Sequence, residues 1–259
     1  MNLTAEQLQS NYQEFLGYID QHIQGERKDQ LLDFYKKYEE RLILLPAAAK
    51  EGRHSSFPGG YIYHVNNVVK YALQLYKVWL TGGADMEKVS LENIVFCAIN
   101  HDLGKMGSAE EEGVKPQTDE WRRNKLGEMY TFNTKLSYMS VPDRSLFLLQ
   151  QHGIPMSQDE WVAIKIHDGL YDSSNESYLK NYMPETKPRT CLYHIIHQAD
   201  MMASYIEFEQ QWLKKLHKNN LDSGKGSNTL QSNVKKQPTK QKALSSVKSA
   251  GLQDMLKNL

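Results

Sequence analysis

Six apolar residues, Ile94-Val95-Phe96-Cys97-Ala98-Ile99, are followed after one asparagine by His101-Asp102-Leu103-Gly104-Lys105. A run of that kind belongs in a core. An imidazole and a carboxylate carried into a core are expensive unless something pairs with them, and a metal ion is one such partner. The chain must therefore fold around an interior polar point, with matching groups supplied by other segments.

The surrounding pattern is helical. Thr4-Ala5-Glu6-Gln7 reads as a capping box opening a helix to about Ile23. Residues 28–45 place Leu31, Leu32, Tyr35 and Tyr38 at helical spacing until Pro46 stops them. After the loop KEGRHSSFPGG a helix is expected from about Tyr61 to Leu80, ended by Gly82-Gly83, and another from Leu91 into Asp102. Residues 104–140 are polar, with the acidic run Glu110–Glu112, and read as a surface insertion with little regular structure. Helix returns at Arg144–Gln151. A second capping box, Ser157-Gln158-Asp159-Glu160, starts a short helix ending near His167, and Pro188-Arg189-Thr190 opens a last long helix to about His217. No stretch alternates Val, Ile and Thr in the manner of strands. The expectation is an all-α protein.

From Asn219 the composition turns to Ser, Asn, Lys, Gln and Gly, which predicts a linker without fixed structure. Residues 222–259 hold seven lysines and two aspartates, so this tail is basic although Lys+Arg and Asp+Glu are both 31 in the whole chain. Its last segment, residues 249–259, would place Leu252, Met255, Leu256 and Leu259 on one helical face, either docking a protein partner or folding back. The division expected is N-terminal helices over 1–45, a main domain over 46–218 and the tail over 219–259. Cys97 and Cys191 form no zinc-type pair and no disulfide framework. With no leader pattern and no membrane-length apolar segment, a cytoplasmic protein is expected.

Companions for His101-Asp102 lie on other predicted helices. His64 stands in the first turn of one, and His194, His197 and Asp200 recur every three residues along another. A site of imidazoles and carboxylates without thiolate suits Mn, Fe, Co, Ni or Zn and leaves room for water and substrate.

In order and context these residues resemble the HD-domain superfamily of metal-dependent phosphohydrolases, whose signature runs His, His-Asp, Asp. The stretch LLPAAAKEGRHSSFPGGYIYHVNNVV (Leu44–Val69), HDLGK at the doublet and HQADMMAS (His197–Ser204) all fit it, as do DRSLFLLQ and IKIHDGLYD; the likeness covers about Pro46 to Glu209. It implies an HD-type helical bundle with His64, His101, Asp102 and Asp200 as metal ligands. Relatives with two metals supply further histidines. Here His167-Asp168-Gly169 stands at one such position, but no histidine occurs near Asp143-Arg144-Ser145. One tightly held metal is implied, with His167 near the substrate phosphate; a second, weaker site on Asp102, His167 and His152 stays open.

The function expected is hydrolysis of a phosphoester in a nucleotide-type substrate by metal-activated water. Lys105 and Arg144 are candidate phosphate partners, each with a plain structural alternative, and His167 is a candidate acid or base. Arg53, His54 and Asp168 are candidate substrate contacts. The mixed aromatic and basic stretch Asp119–Tyr130 suggests a substrate-side flap. Two alternatives remain: a 3′–5′ exonuclease on single-stranded nucleic acid, which the basic tail could contact through charge, and a noncatalytic metal-binding adaptor using its C-terminal peptide.

Overall fold

In the computed structural model, Thr4 caps the first helix, α1 (Ala5–His22), and the reciprocal Thr4–Gln7 capping box is formed. The structure describes residues 3–180 and 182–214; the basic tail and the 249–259 segment lie outside the described residues. Tyr12, Phe15 and Ile19 are the buried face of α1. The span 28–45, expected as one helix, is two: α2 (Gly25–Lys37) and α3 (Glu39–Leu44). The break falls at Tyr38, whose ring turns onto Phe34 and His152 and whose backbone leaves the helical region.

Three helices carry the interior. α4 (Gly60–Thr81) and α10 (Leu192–Phe208) pack along each other, and α5 (Leu91–Asn100) lies against α4 with every residue from Ile94 to Asn100 buried. α5 has its own capping box, Ser90 with Asn93, which the sequence reading passed over. After α5 a short 3-10 turn, Leu103–Met106, lies against α7 (Val141–Gln151). The approach is close: a Cβ on Gly104 would stand 2.1 Å from the Val141 carbonyl oxygen, and the Gly104 N–H donates to Ser145 Oγ at 2.8 Å. α8 (Gln158–Lys165) opens at the expected Ser157–Glu160 box and packs on α10.

The 104–140 insertion is more regular than its composition suggests. β1 (Val114–Pro116) pairs antiparallel with β2 (Tyr130–Phe132), and α6 (Glu120–Leu126) lies between them. Strands of three residues are too short to show alternation. Their pairing with each other, and the Met129 and Tyr130 N–H groups donating to the Ala49 carbonyl, hold them in place. α9 (Glu176–Leu179) is a single turn before the loop into α10. The described protein is thus mostly helical with one two-stranded sheet. Among its described residues no helix is long and apolar enough to cross a membrane.

Candidate metal centre

Four segments deliver ionisable side chains to one buried point. α4 brings His64, the end of α5 brings His101 and Asp102, the turn after α8 brings His167, and α10 brings Asp200. His64, His101 and Asp200 form one group whose ligand atoms all lie within 4.8 Å of one another, and His101, Asp102 and His167 form a second. His64 Nε2 is 3.1 Å from Asp200 Oδ1, and His101 Nε2 is 3.4 Å from Asp102 Oδ2. His64 and His101 are fully buried and His167 and Asp102 nearly so.

Backbone acceptors define which nitrogen of two imidazoles carries hydrogen. His101 Nδ1 lies 2.8 Å from the Ala98 carbonyl and His167 Nδ1 lies 2.8 Å from the Ile164 carbonyl. A carbonyl only accepts, so each Nδ1 donates and each Nε2 presents a lone pair to the cluster. Nε2 of His101 is buried without a hydrogen-bond partner, and Nε2 of His64 faces the Asp200 carboxylate 3.1 Å away. Buried imidazole nitrogens converging with carboxylates are what a divalent cation would satisfy, and the donor set fits one.

Electrostatics follow from the arrangement. Burial would raise the Asp102 carboxyl, but Lys105, His101 and His167 together hold it well below its usual range; Asp200 is likewise held low against burial by His64, His101 and His167. Lys105 donates to Asp102 Oδ2 at 2.5 Å, and that carboxylate raises the ammonium's pKa against burial. Burial drives His54 down to about 3, with His64 and Lys105 adding to the effect, so its imidazole is neutral.

The cluster opens into a cavity of about 800 Å³. Arg53, His54, Lys105 and Asp168 reach its wall, as do Phe132 of β2 and Tyr205 of α10. The insertion thus contributes its strands to the wall. Trp121 on α6 stays exposed, and Arg122 is spent on Glu128 at 2.7 Å.

Other sequence candidates go elsewhere. Arg144 donates to the Ser137 carbonyl at 2.7 Å and is absent from the cavity wall, while Asp143 pairs with Lys165 at 2.5 Å. His152 lies edge-on to Phe34 and 3.4 Å from the Tyr38 hydroxyl, which removes it from any second cation group. In the acidic run of the insertion, Glu111 accepts from Asn133 Nδ2 and Lys135 Nζ. His197 does reach the cavity wall, with its Nδ1 donating to the His167 carbonyl and its ring stacked on Tyr193; His194 stacks on Trp79.

One participant escaped the sequence reading. Glu207 is buried on α10, seven residues after Asp200 and so on the same face, with its carboxylate 3.3 Å from His64 Nδ1. The seven-residue spacing was the available signal.

Compared with protein-family models, curated proteins and solved structures, the chain gives no match in any of the three.

Proposed function

We propose that this protein is a metal-dependent phosphohydrolase of the HD type, acting on a nucleotide-type substrate. The observation carrying the proposal is the convergence of His64, His101, Asp102 and Asp200, with His101 Nε2 buried and unpartnered, beside a cavity that Asp102 and Asp200 line together with a lysine. The family likeness of the HD, PAA and HQAD stretches supports the reading.

His64, His101, Asp102 and Asp200 would hold the cation. When bound, it would lower the pKa of water and polarise a phosphoryl oxygen. Lys105, steadied by Asp102 and exposed to the cavity, donates to a non-bridging phosphate oxygen and offsets charge gathering there. The Nε2 lone pair of His167, 3.8 Å from Asp102 and 3.7 Å from Asp168, accepts a proton from the attacking water or, once protonated, returns it to the leaving oxygen. Phe132 and Tyr205 give the rest of the substrate apolar surface.

A second cavity, of about 920 Å³, shares Gly52 and Arg53 with the first and adds Arg123, Tyr130 and Trp212. Cations and aromatic faces leading away from the cluster favour the exonuclease as the second reading.

The test is turnover by purified protein, supplied with Mn²⁺, of nucleoside mono- and triphosphates, a cyclic nucleotide and a short single-stranded oligonucleotide, beside Asp102→Ala. Cleavage of one class that disappears in the variant is expected. Absence of any cleavage by protein with stoichiometric bound cation would overturn the proposal.

A further inference from the structure

The three imidazoles of the cluster are not held alike. His101 and His167 each donate Nδ1–H to a carbonyl three residues earlier in the chain. His64 instead turns Nδ1 to a carboxylate, Glu207, at 3.3 Å to both oxygens. That carboxylate is 1% exposed, so it needs its own partners. Asn67, one turn along α4 from His64, donates to Oε1 at 2.8 Å, and Ser55 Oγ donates to Oε2 at 2.6 Å.

Ser55 is clamped in turn. It accepts from Gln211 Nε2 at 3.0 Å and donates its N–H to Gln211 Oε1 at 2.9 Å. Its φ of 48° is the one positive value among the described non-glycine residues, a conformation that surrounding contacts must sustain. A loop, α4, α10 and the π-helical turn Glu209–Leu213 are thus joined through one buried carboxylate. A group serving only to staple the loop to α10 would need Ser55 alone. The two oxygens shared with Nδ1 and Asn67 aim the network at the imidazole.

We propose that Glu207 is a positioning residue: its carboxylate fixes the His64 ring with Nδ1 protonated and Nε2 turned to Asp200, and so sets the affinity of the cluster for a divalent cation. This rests on the metal centre proposed above. A carboxylate behind a ligating histidine fixes ring orientation and tautomer and makes the other nitrogen a better donor. Glu207→Gln keeps the volume but replaces one acceptor with a donor, which faces the donor of either Asn67 or Ser55.

The experiment titrates cation-free full-length protein with Co²⁺, read by calorimetry and by visible absorption, together with thermal unfolding before cation is added. Glu207→Gln should still fold, with a lowered melting temperature before cation is added, bind Co²⁺ about 10- to 100-fold more weakly and give an altered absorption band. Wild-type affinity with an unchanged band would overturn the proposal. If Glu207→Gln does not fold, Asn67→Ala decides: weaker binding with a changed band supports the positioning role, and unchanged binding overturns it. Wild-type protein that takes up no Co²⁺ removes the metal centre and this role with it. Wild-type protein that binds Co²⁺ but hydrolyses nothing removes the phosphohydrolase reading and leaves Glu207 to be judged by the variants.

Discussion

His64 Nε2 and Asp200 Oδ1 lie 3.1 Å apart, although one opens α4 and the other sits midway along α10. The two helices pack along each other, so this pair joins the chemistry of the cluster to the main packing seam. Asp200→Ala should cost more than the roughly 10- to 100-fold affinity loss typical of an outer partner. Equilibrium dialysis against Mn²⁺ measures it, with the folded state checked by thermal melting.

The same pair gives a pH signature. In cation-free protein, burial would lower the His64 pKa, but Glu207 and Asp200 outweigh it and push it up to about 10, from an ordinary 6.5. Folding therefore gains from this proton fully below about pH 6.5, and the gain is lost as pH rises through about 10. Cation-free protein should melt at progressively lower temperature over that window. At pH 7.5 cation uptake should release about one proton, detected as a buffer-dependent heat in calorimetry. Equal heats in buffers of different ionisation enthalpy would contradict it.

Two cations once grouped as phosphate partners now separate. Lys105 faces the cavity beside Asp102, whereas Arg144 is committed to the Ser137 carbonyl. Lys105→Met should lower kcat by about 10²- to 10³-fold, and Arg144→Met should leave it near wild type. Steady-state kinetics on the substrate found in the screen would show whether the two variants differ.

Gly60 is where α4 meets the Ser55 loop: a Cβ there would stand 1.9 Å from the Ser55 carbonyl oxygen. Backbone cannot retreat as a side-chain tip can. Gly60→Ala should destabilise by about 3 kcal/mol and weaken cation binding as well, because the displaced loop carries Ser55 away from Glu207. Denaturant unfolding and Co²⁺ titration of the same sample test both halves.

Arg27 offers the contrasting case, stability without the site. From α2 it reaches Glu160 at 3.0 Å and also pairs with Glu92, over the face of Phe96. Arg27→Met strands two carboxylates, one almost fully buried, and should cost about 3–5 kcal/mol. Co²⁺ affinity of the still-folded fraction should be unchanged; a parallel loss of affinity would mean the network reaches the cluster.

Much of this was legible in the sequence where a local rule was strong. The capping boxes at Thr4 and Ser157 mark real helix starts, since each satisfies backbone donors within four residues. His101-Asp102 stands out because an apolar run cannot easily carry it. What escaped depends on distant partners. A glutamate in a helix reads as surface, and Glu207 becomes a buried acceptor only when Ser55, Asn67 and His64 arrive from other elements. Tyr38 splits a helix because Phe34 and His152 receive its ring. β1 and β2 exist through each other, and the spent state of Arg144 depends on where the Ser137 carbonyl falls.

The cluster draws on residues from Ser55 to Gln211, so no hairpin or short segment of the chain contains it. During folding it comes into being only when the longest loops have closed. A cation recognising it would be a ligand of the finished protein alone, adding to stability in proportion to the logarithm of its concentration. Cells short of that cation would hold a chain that melts earlier and is cleared sooner, so metal supply would set the protein's abundance as well as its activity.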